Sequence, residues 1–161
     1  MKVWRTTALL LTIAVGGMAA AQEISNASVS ADVSTAQLES RMLAANWLTY
    51  NGDYSGRRYS SLSQINTNNI AQLRAEWVFH SANSDRLEVT PVVVNGIMFA
   101  TAANDTYALD ARTGRTIWHH SRPNSEGLID DASRHISRGV AVWHSRIYRQ
   151  TDNAQIGRAH V

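Results

Sequence analysis

The chain has 161 residues and a formal net charge of +2, with a positive complement that is almost entirely arginine. So small an excess, with no basic cluster interleaved with aromatics, argues against a nucleic-acid partner. The absence of cysteine excludes disulfide staples and thiol chemistry.

The N-terminus predicts a secretory signal over residues 1–21. Lys2 and Arg5 supply its charged region, Ala8 to Val15 its apolar stretch, and Ala19, Ala20 and Ala21 the small residues before Gln22. The apolar stretch is shorter than the roughly 20 residues that cross a bilayer. From Gln22 to Thr35 the chain is rich in Ser, Ala and Asn, the composition of a flexible lead-in. A short helix is expected from Ser34, which has capping-box spacing to Gln37; Leu38, Met42 and Leu43 would share its inner face, and it would end near Asn46. A second short helix is expected from Asn66 as N-cap, burying Ile70 and Leu73.

After Arg74 the signals turn to β. Glu76 to His80 is short and aromatic-rich, Thr90 to Val94 is apolar, and Asn95-Gly96 is the strongest hairpin signal in the chain. Ile97 to Ala102 would return from that turn. Asn104-Asp105 makes the next turn, Thr106 to Leu109 a third strand, Arg112-Thr113-Gly114 a further turn and Arg115 to His119 a fourth strand. Four antiparallel strands joined by tight turns over about 30 residues have the size of one propeller blade. Gly96 to Thr101 recurs loosely as Arg146 to Thr151, an offset of 50 positions that is close to a blade period.

No third strand of this second copy is expected after Thr151 to Ala154, which would leave a sheet edge unpaired and the chain unstable by itself. The closing string Ile156 to Val161 is the translation of a widely used sequencing-adapter sequence. The reading frame is therefore expected to continue past about Ala154, with residues 155–161 foreign to the natural protein; the alternative is a natural C-terminal tail.

Three stretches carry a family resemblance. The segment from Asn46 to Arg74 presents Trp47, Gly52, Tyr59-Ser60, Ile65-Asn66, Asn69 and Leu73-Arg74. Leu87 to Trp118 follows as a complete blade, and Ser137 to Trp143 as the start of the next. In this order they resemble the pyrroloquinoline-quinone (PQQ) dependent dehydrogenases. Two positions of the opening segment depart mildly: Asn51 stands where the family often has glycine, and Ile70 where it has valine.

The resemblance implies an all-β, eight-bladed propeller, of which residues 46–154 hold the opening segment, the first blade and part of the next. It implies a periplasmic enzyme that oxidises an alcohol, polyol or sugar and passes electrons to a cytochrome c or a membrane quinone. The cofactor would be PQQ with Ca²⁺, or in some branches a lanthanide, at its quinone edge. Glu88, in the context Leu87-Glu88-Val89-Thr90-Pro91, matches the family's glutamate that hydrogen-bonds a PQQ carboxylate. Arg138, in the context Arg138-Gly139-Val140-Ala141-Val142-Trp143, matches the arginine that pairs with the cofactor's anionic edge, where a planar fork of donors suits a carboxylate. The family's catalytic Asp and its metal ligands belong to later blades, so no catalytic and no metal-binding residue is assigned here, and the chain by itself is expected to be inactive. Ala132 and Ser133 stand near the place of the adjacent Cys-Cys disulfide of many relatives. The competing reading is a non-enzymatic scaffold propeller for outer-membrane assembly. The segment Trp47 to Arg74 and the pair Glu88 and Arg138 favour the enzymes.

Other polar residues read as structural. His119 and His120 are neighbours on a strand and point to opposite faces, so they cannot readily chelate one ion, with or without His135. Asp130-Asp131 reads as a solvated loop, Trp118 and Trp143 as blade packing, and Asp110 as the cap of a turn.

Overall fold

Strands with alternating or continuous apolar patterning cannot bury their faces alone, and this chain solves the problem by stacking one small antiparallel sheet on another. The computed structural model describes residues 30–40, 45–82, 87–123, 125–127 and 136–160. The expected signal segment, residues 1–21, lies outside them, as do Met42, Leu43, Asp130, Asp131, Ala132, Ser133 and His135.

The first sheet is a meander of β1 (Val92–Val94), β2 (Ile97–Thr101), β3 (Asp105–Asp110) and β4 (Thr116–Ser121), each paired antiparallel to the next. Its turns follow the residue chemistry. Asn95 and Gly96 both take positive φ, 49° and 80°, the requirement of a two-residue type I′ hairpin, and they set the register Val94 opposite Ile97. Asp110 accepts hydrogen bonds from the backbone N–H groups of Arg112 and Thr113, both at 3.0 Å, closing the β3–β4 turn as expected of an Asx turn. These bonds, with Thr113 foremost, hold the Asp110 carboxyl below its ordinary pKa.

The second sheet comprises β5 (Ala141–Trp143), β6 (Arg146–Gln150) and β7 (Ile156–His160) in that order. The repeat read from sequence is therefore structural: β2 and β6 are the second strands of successive sheets. The expectation that no third strand follows Thr151 to Ala154 is corrected, because β7 pairs with β6 from Gln150 opposite Ile156 to Arg146 opposite His160. The physical reason is the edge itself: β6 would otherwise expose a row of unpaired backbone groups, and any chain that can reach it gains those bonds.

Between the sheets lies a core of Val92, Val94, Ile97, Phe99, Ala108, Val142 and Ile147. Phe99 is fully buried, with Trp118 packed at a ring distance of 6.1 Å. Ala31 and Val33 are also fully buried, so the described end of the lead-in is part of the core rather than a free tether. Val33 bridges His144 through two backbone hydrogen bonds, and Trp47 bridges Val93 through two of 2.8 Å. The N-terminal stretch thus borders both sheets. Asn104, 1% exposed, links them from the other side: its side chain donates to Pro123 and accepts from the Asp152 backbone, and its carbonyl accepts from Arg149.

Three further expectations are corrected. Helix α1 (Thr35–Glu39) does have the Ser34–Gln37 capping box, but it is capped at Ser40 rather than continuing to Asn46. The second helix is a single 3-10 turn, Ile70–Gln72, and Ile70 and Leu73 are exposed. Glu76 to His80 joins neither sheet. Its aromatic residues serve packing instead: the Trp77 ring lies over Gly114, where a Cβ would sit 2.6 Å from it, and Phe79 meets Tyr107 edge-on at 4.9 Å.

Candidate quinone-binding site

The two sheets begin side by side. The backbone N–H of Thr90, two residues before β1, donates to the carbonyl of Arg138, three residues before β5, at 3.2 Å. That close approach requires a glycine next to Arg138. Gly139 has φ +132°, and a Cβ there would lie 2.9 Å from the Thr90 carbonyl oxygen. The result brings the two residues singled out in the sequence together: Arg138 Nη2 lies 3.3 Å from Glu88 Oε2.

Both side chains are accessible, Arg138 at 69% and Glu88 at 41%. A pair so open to solvent contributes little to stability, about 0–1 kcal/mol. Its guanidinium retains donors for a further anion, since Arg offers five N–H groups and the glutamate uses part of the fork. Arg138 borders a groove of about 640 Å³ whose wall includes Tyr50, Ser137, Gly139 and Gln150. A planar, carboxylate-bearing ring fits such a groove: a guanidinium meets its negative edge, and Gly139 leaves the backbone open to close approach.

Tyr50 and Arg58 were not singled out from sequence. The hydroxyl of Thr90 and the guanidinium of Arg58 hydrogen-bond the Tyr50 phenol and hold it below its ordinary pKa, helped by the positive charge of Arg58 and, more weakly, of Arg138. The Arg58 guanidinium sits 5.0 Å from the Tyr50 ring centroid and donates from Nε to Asn51 Oδ1 at 2.8 Å. Asn51, the residue that stands in place of a family glycine, therefore acts through its side chain. Arg58 has φ +52°, an uncommon conformation for a non-glycine residue that often marks a functional loop. The signal that could have found these two is Tyr50 and Arg58 flanking the Gly52 turn, but nothing in their spacing points to Thr90, 40 positions away.

The remaining polar residues have structural partners. His119 Nε2 lies 2.7 Å from Asp105 Oδ1 and its ring stacks on Tyr107 at 4.2 Å, whereas His120 faces a cavity between the sheets. The two histidines thus point apart. Among the described residues there is no group of three or more His, Asp or Glu placed to hold a metal ion. Trp118 packs against the core, while Trp143 is 43% exposed, its ring tilted on that of His144 at 4.3 Å and its Nε1–H donating to Thr35 Oγ1 at 3.5 Å.

A family model described as glucose/ethanol/alcohol dehydrogenase, beta-propeller domain (PQQ) matches residues 47–159. The dehydrogenase subunit of an alcohol dehydrogenase (quinone) from Gluconobacter oxydans is 38% identical over 113 residues, covering 68% of this chain and 15% of that protein. The quinohemoprotein alcohol dehydrogenase of Comamonas testosteroni is 31% identical over 157 residues, 90% of this chain and 22% of the relative. Among solved structures, a quinohemoprotein alcohol dehydrogenase from Pseudomonas putida superposes with a TM-score of 0.64 at 29% identity, over 82% of this chain and 21% of that one. The chain thus spans about a fifth or less of the length of these relatives. With its paired antiparallel sheets as successive blades, the chain belongs to the PQQ-dependent glucose/ethanol/alcohol dehydrogenase β-propeller family.

Proposed function

We propose that this chain forms the first blades of a periplasmic quinoprotein that oxidises an alcohol, polyol or sugar, and that Glu88 and Arg138 hold the carboxylate edge of its PQQ. The observation that carries this reading is the 3.3 Å pair, its Arg138 lining a groove, made by two residues 50 positions apart that match the family's cofactor contacts. When bound, PQQ supplies the two-electron acceptor that the amino acids lack, with Ca²⁺ or a lanthanide as Lewis acid, the ligands for that ion coming from blades outside this chain. The chain's own residues bind and orient. Arg138 offers its free N–H groups to a cofactor carboxylate, Glu88 fixes the plane of that guanidinium, and Thr90 and Gly139 fix the backbone beneath both. The electrons would leave to a cytochrome c or a membrane quinone, and the signal-like N-terminus supports export.

The test is dye-linked oxidation by the complete propeller, purified without cofactor and supplied with PQQ and Ca²⁺, against a panel of primary alcohols, polyols and aldoses. Turnover that appears only with PQQ supports the reading. A complete propeller that binds PQQ with no alcohol, polyol or sugar oxidised would remove the enzymatic part, and one that ignores PQQ would favour the scaffold reading.

A further inference from the structure

The 50-residue repeat aligns Phe99 of β2 with Arg149 of β6. Phe99 is fully buried and belongs to the core. Arg149 is nearly as deep, 9% exposed, but brings a charged fork into a place built for an aromatic ring. A guanidinium in that position must find partners for five N–H groups. Nη2 donates to the Asn104 carbonyl at 2.6 Å, whereas Nη1 is buried and has no hydrogen-bond partner among the described residues.

Beside it is a cavity of about 150 Å³ between the two sheets. Thr106, His120 and Arg122 line it from the first sheet and Arg149 and Thr151 from the second, and in this 161-residue chain Gly157 and Arg158 of the closing string complete the wall. The nearby acids are engaged elsewhere: Asp105 with His119, and Asp152 with the backbone and hydroxyl of Ser125. Burial pulls the Arg149 pKa below its ordinary value and Arg122 adds to this, against the opposing charges of Asp105 and Asp152. Among the described residues, the Arg149 fork is therefore left with one buried nitrogen unsatisfied.

We propose that this cavity is a binding site for a small oxyanion, a phosphate or carboxylate held by Arg149 and Arg122 between the first two blades. An oxyanion supplies acceptors for the orphan Nη1 and for the donors that Arg122 retains beside its 2.6 Å bond to Gln155 Oε1, and leaves a further oxygen for the hydroxyl of Thr106. A cavity of this volume has room for one such ion. The site lies in the blade interface, so its occupancy reads out as stability, because a ligand that binds only the folded state raises it by mass action.

The experiment follows the thermal unfolding of the 161-residue chain in a non-coordinating buffer at constant ionic strength, with inorganic phosphate and, separately, formate as probes. Fluorescence of Trp118, which lines the same cavity, reports binding directly. Saturable stabilisation by phosphate is expected, and chloride at equal ionic strength should not reproduce it. Arg149→Phe should fold, since it restores the residue of the first repeat, and should lose the phosphate dependence. Arg122→Gln, at the exposed rim, should weaken the apparent phosphate affinity roughly tenfold. Equal stabilisation of the parent chain and Arg149→Phe by phosphate, or no saturable effect of either probe on the parent, overturns the proposal.

Discussion

Arg138 Nη2 reaches Glu88 Oε2 at 3.3 Å, and the two residues stand at equivalent places, each just before the first strand of its sheet. Both are too exposed for the pair to hold the sheets together. Glu88→Gln is therefore expected to change unfolding free energy by less than about 1 kcal/mol, measured by urea titration. A loss several times larger would make the contact structural and deprive it of a binding role.

Gly139 is the less replaceable neighbour. Its φ of +132° is unfavourable for any residue with a Cβ, and that atom would press on the Thr90 carbonyl oxygen at 2.9 Å. Gly139→Ala should cost roughly 1–3 kcal/mol and should separate Arg138 from Glu88. In the complete propeller it should weaken PQQ binding although it removes no polar contact. Unchanged binding and unchanged stability together would show that the backbone approach is not needed.

Gly114 has a different neighbour. At φ +71°, a Cβ would sit 2.6 Å from two carbons of the Trp77 ring. Gly114→Ala should destabilise by roughly 1–3 kcal/mol, and Trp77→Ala in the same background should relieve the clash, so the double variant should be less affected than the sum of the two. Denaturation of the four proteins of that cycle measures the coupling; simple additivity would mean that the ring does not pack there.

Asp110 provides a pH signature. Its folded-state pKa lies below the ordinary carboxylate value of 3.8, because the backbone N–H groups of Thr113 and Arg112 bond the charged form. The native state therefore binds fewer protons than the unfolded state in that range, so the contribution of Asp110 is complete above the unfolded value and is lost as pH falls through the folded one. Asp110→Asn should be less stable than the parent at pH 7, and the gap should narrow below about pH 4. A gap constant from pH 7 to pH 3 would contradict the cap.

The first sheet is legible in the sequence because its turns are chemical instructions. Asn95-Gly96 dictates a two-residue hairpin, and Asp110 with Gly114 dictates the next turn but one. Glu76 to His80 misleads because aromatic residues signal burial, not pairing: Trp77 and Phe79 are drawn to Gly114 and Tyr107, while Val78 between them remains exposed. Strand β7 is invisible for the opposite reason, since Gly157 and Arg158 carry no strand pattern and the open edge of β6 recruits them. Within the candidate site, Glu88 and Arg138 are singled out by their motifs, and the fold brings them into contact. Tyr50 and Arg58 were not, because their link to Thr90 exists only once Trp47 has bridged Val93.

The most direct test is an equilibrium titration of PQQ into the cofactor-free complete propeller, followed by quenching of tryptophan fluorescence, for the parent and for Arg138→Ala. The account predicts one PQQ per propeller in the parent, and an affinity roughly ten- to a hundredfold weaker in the variant with an unchanged unfolding midpoint. Equal affinity in the two proteins would contradict it.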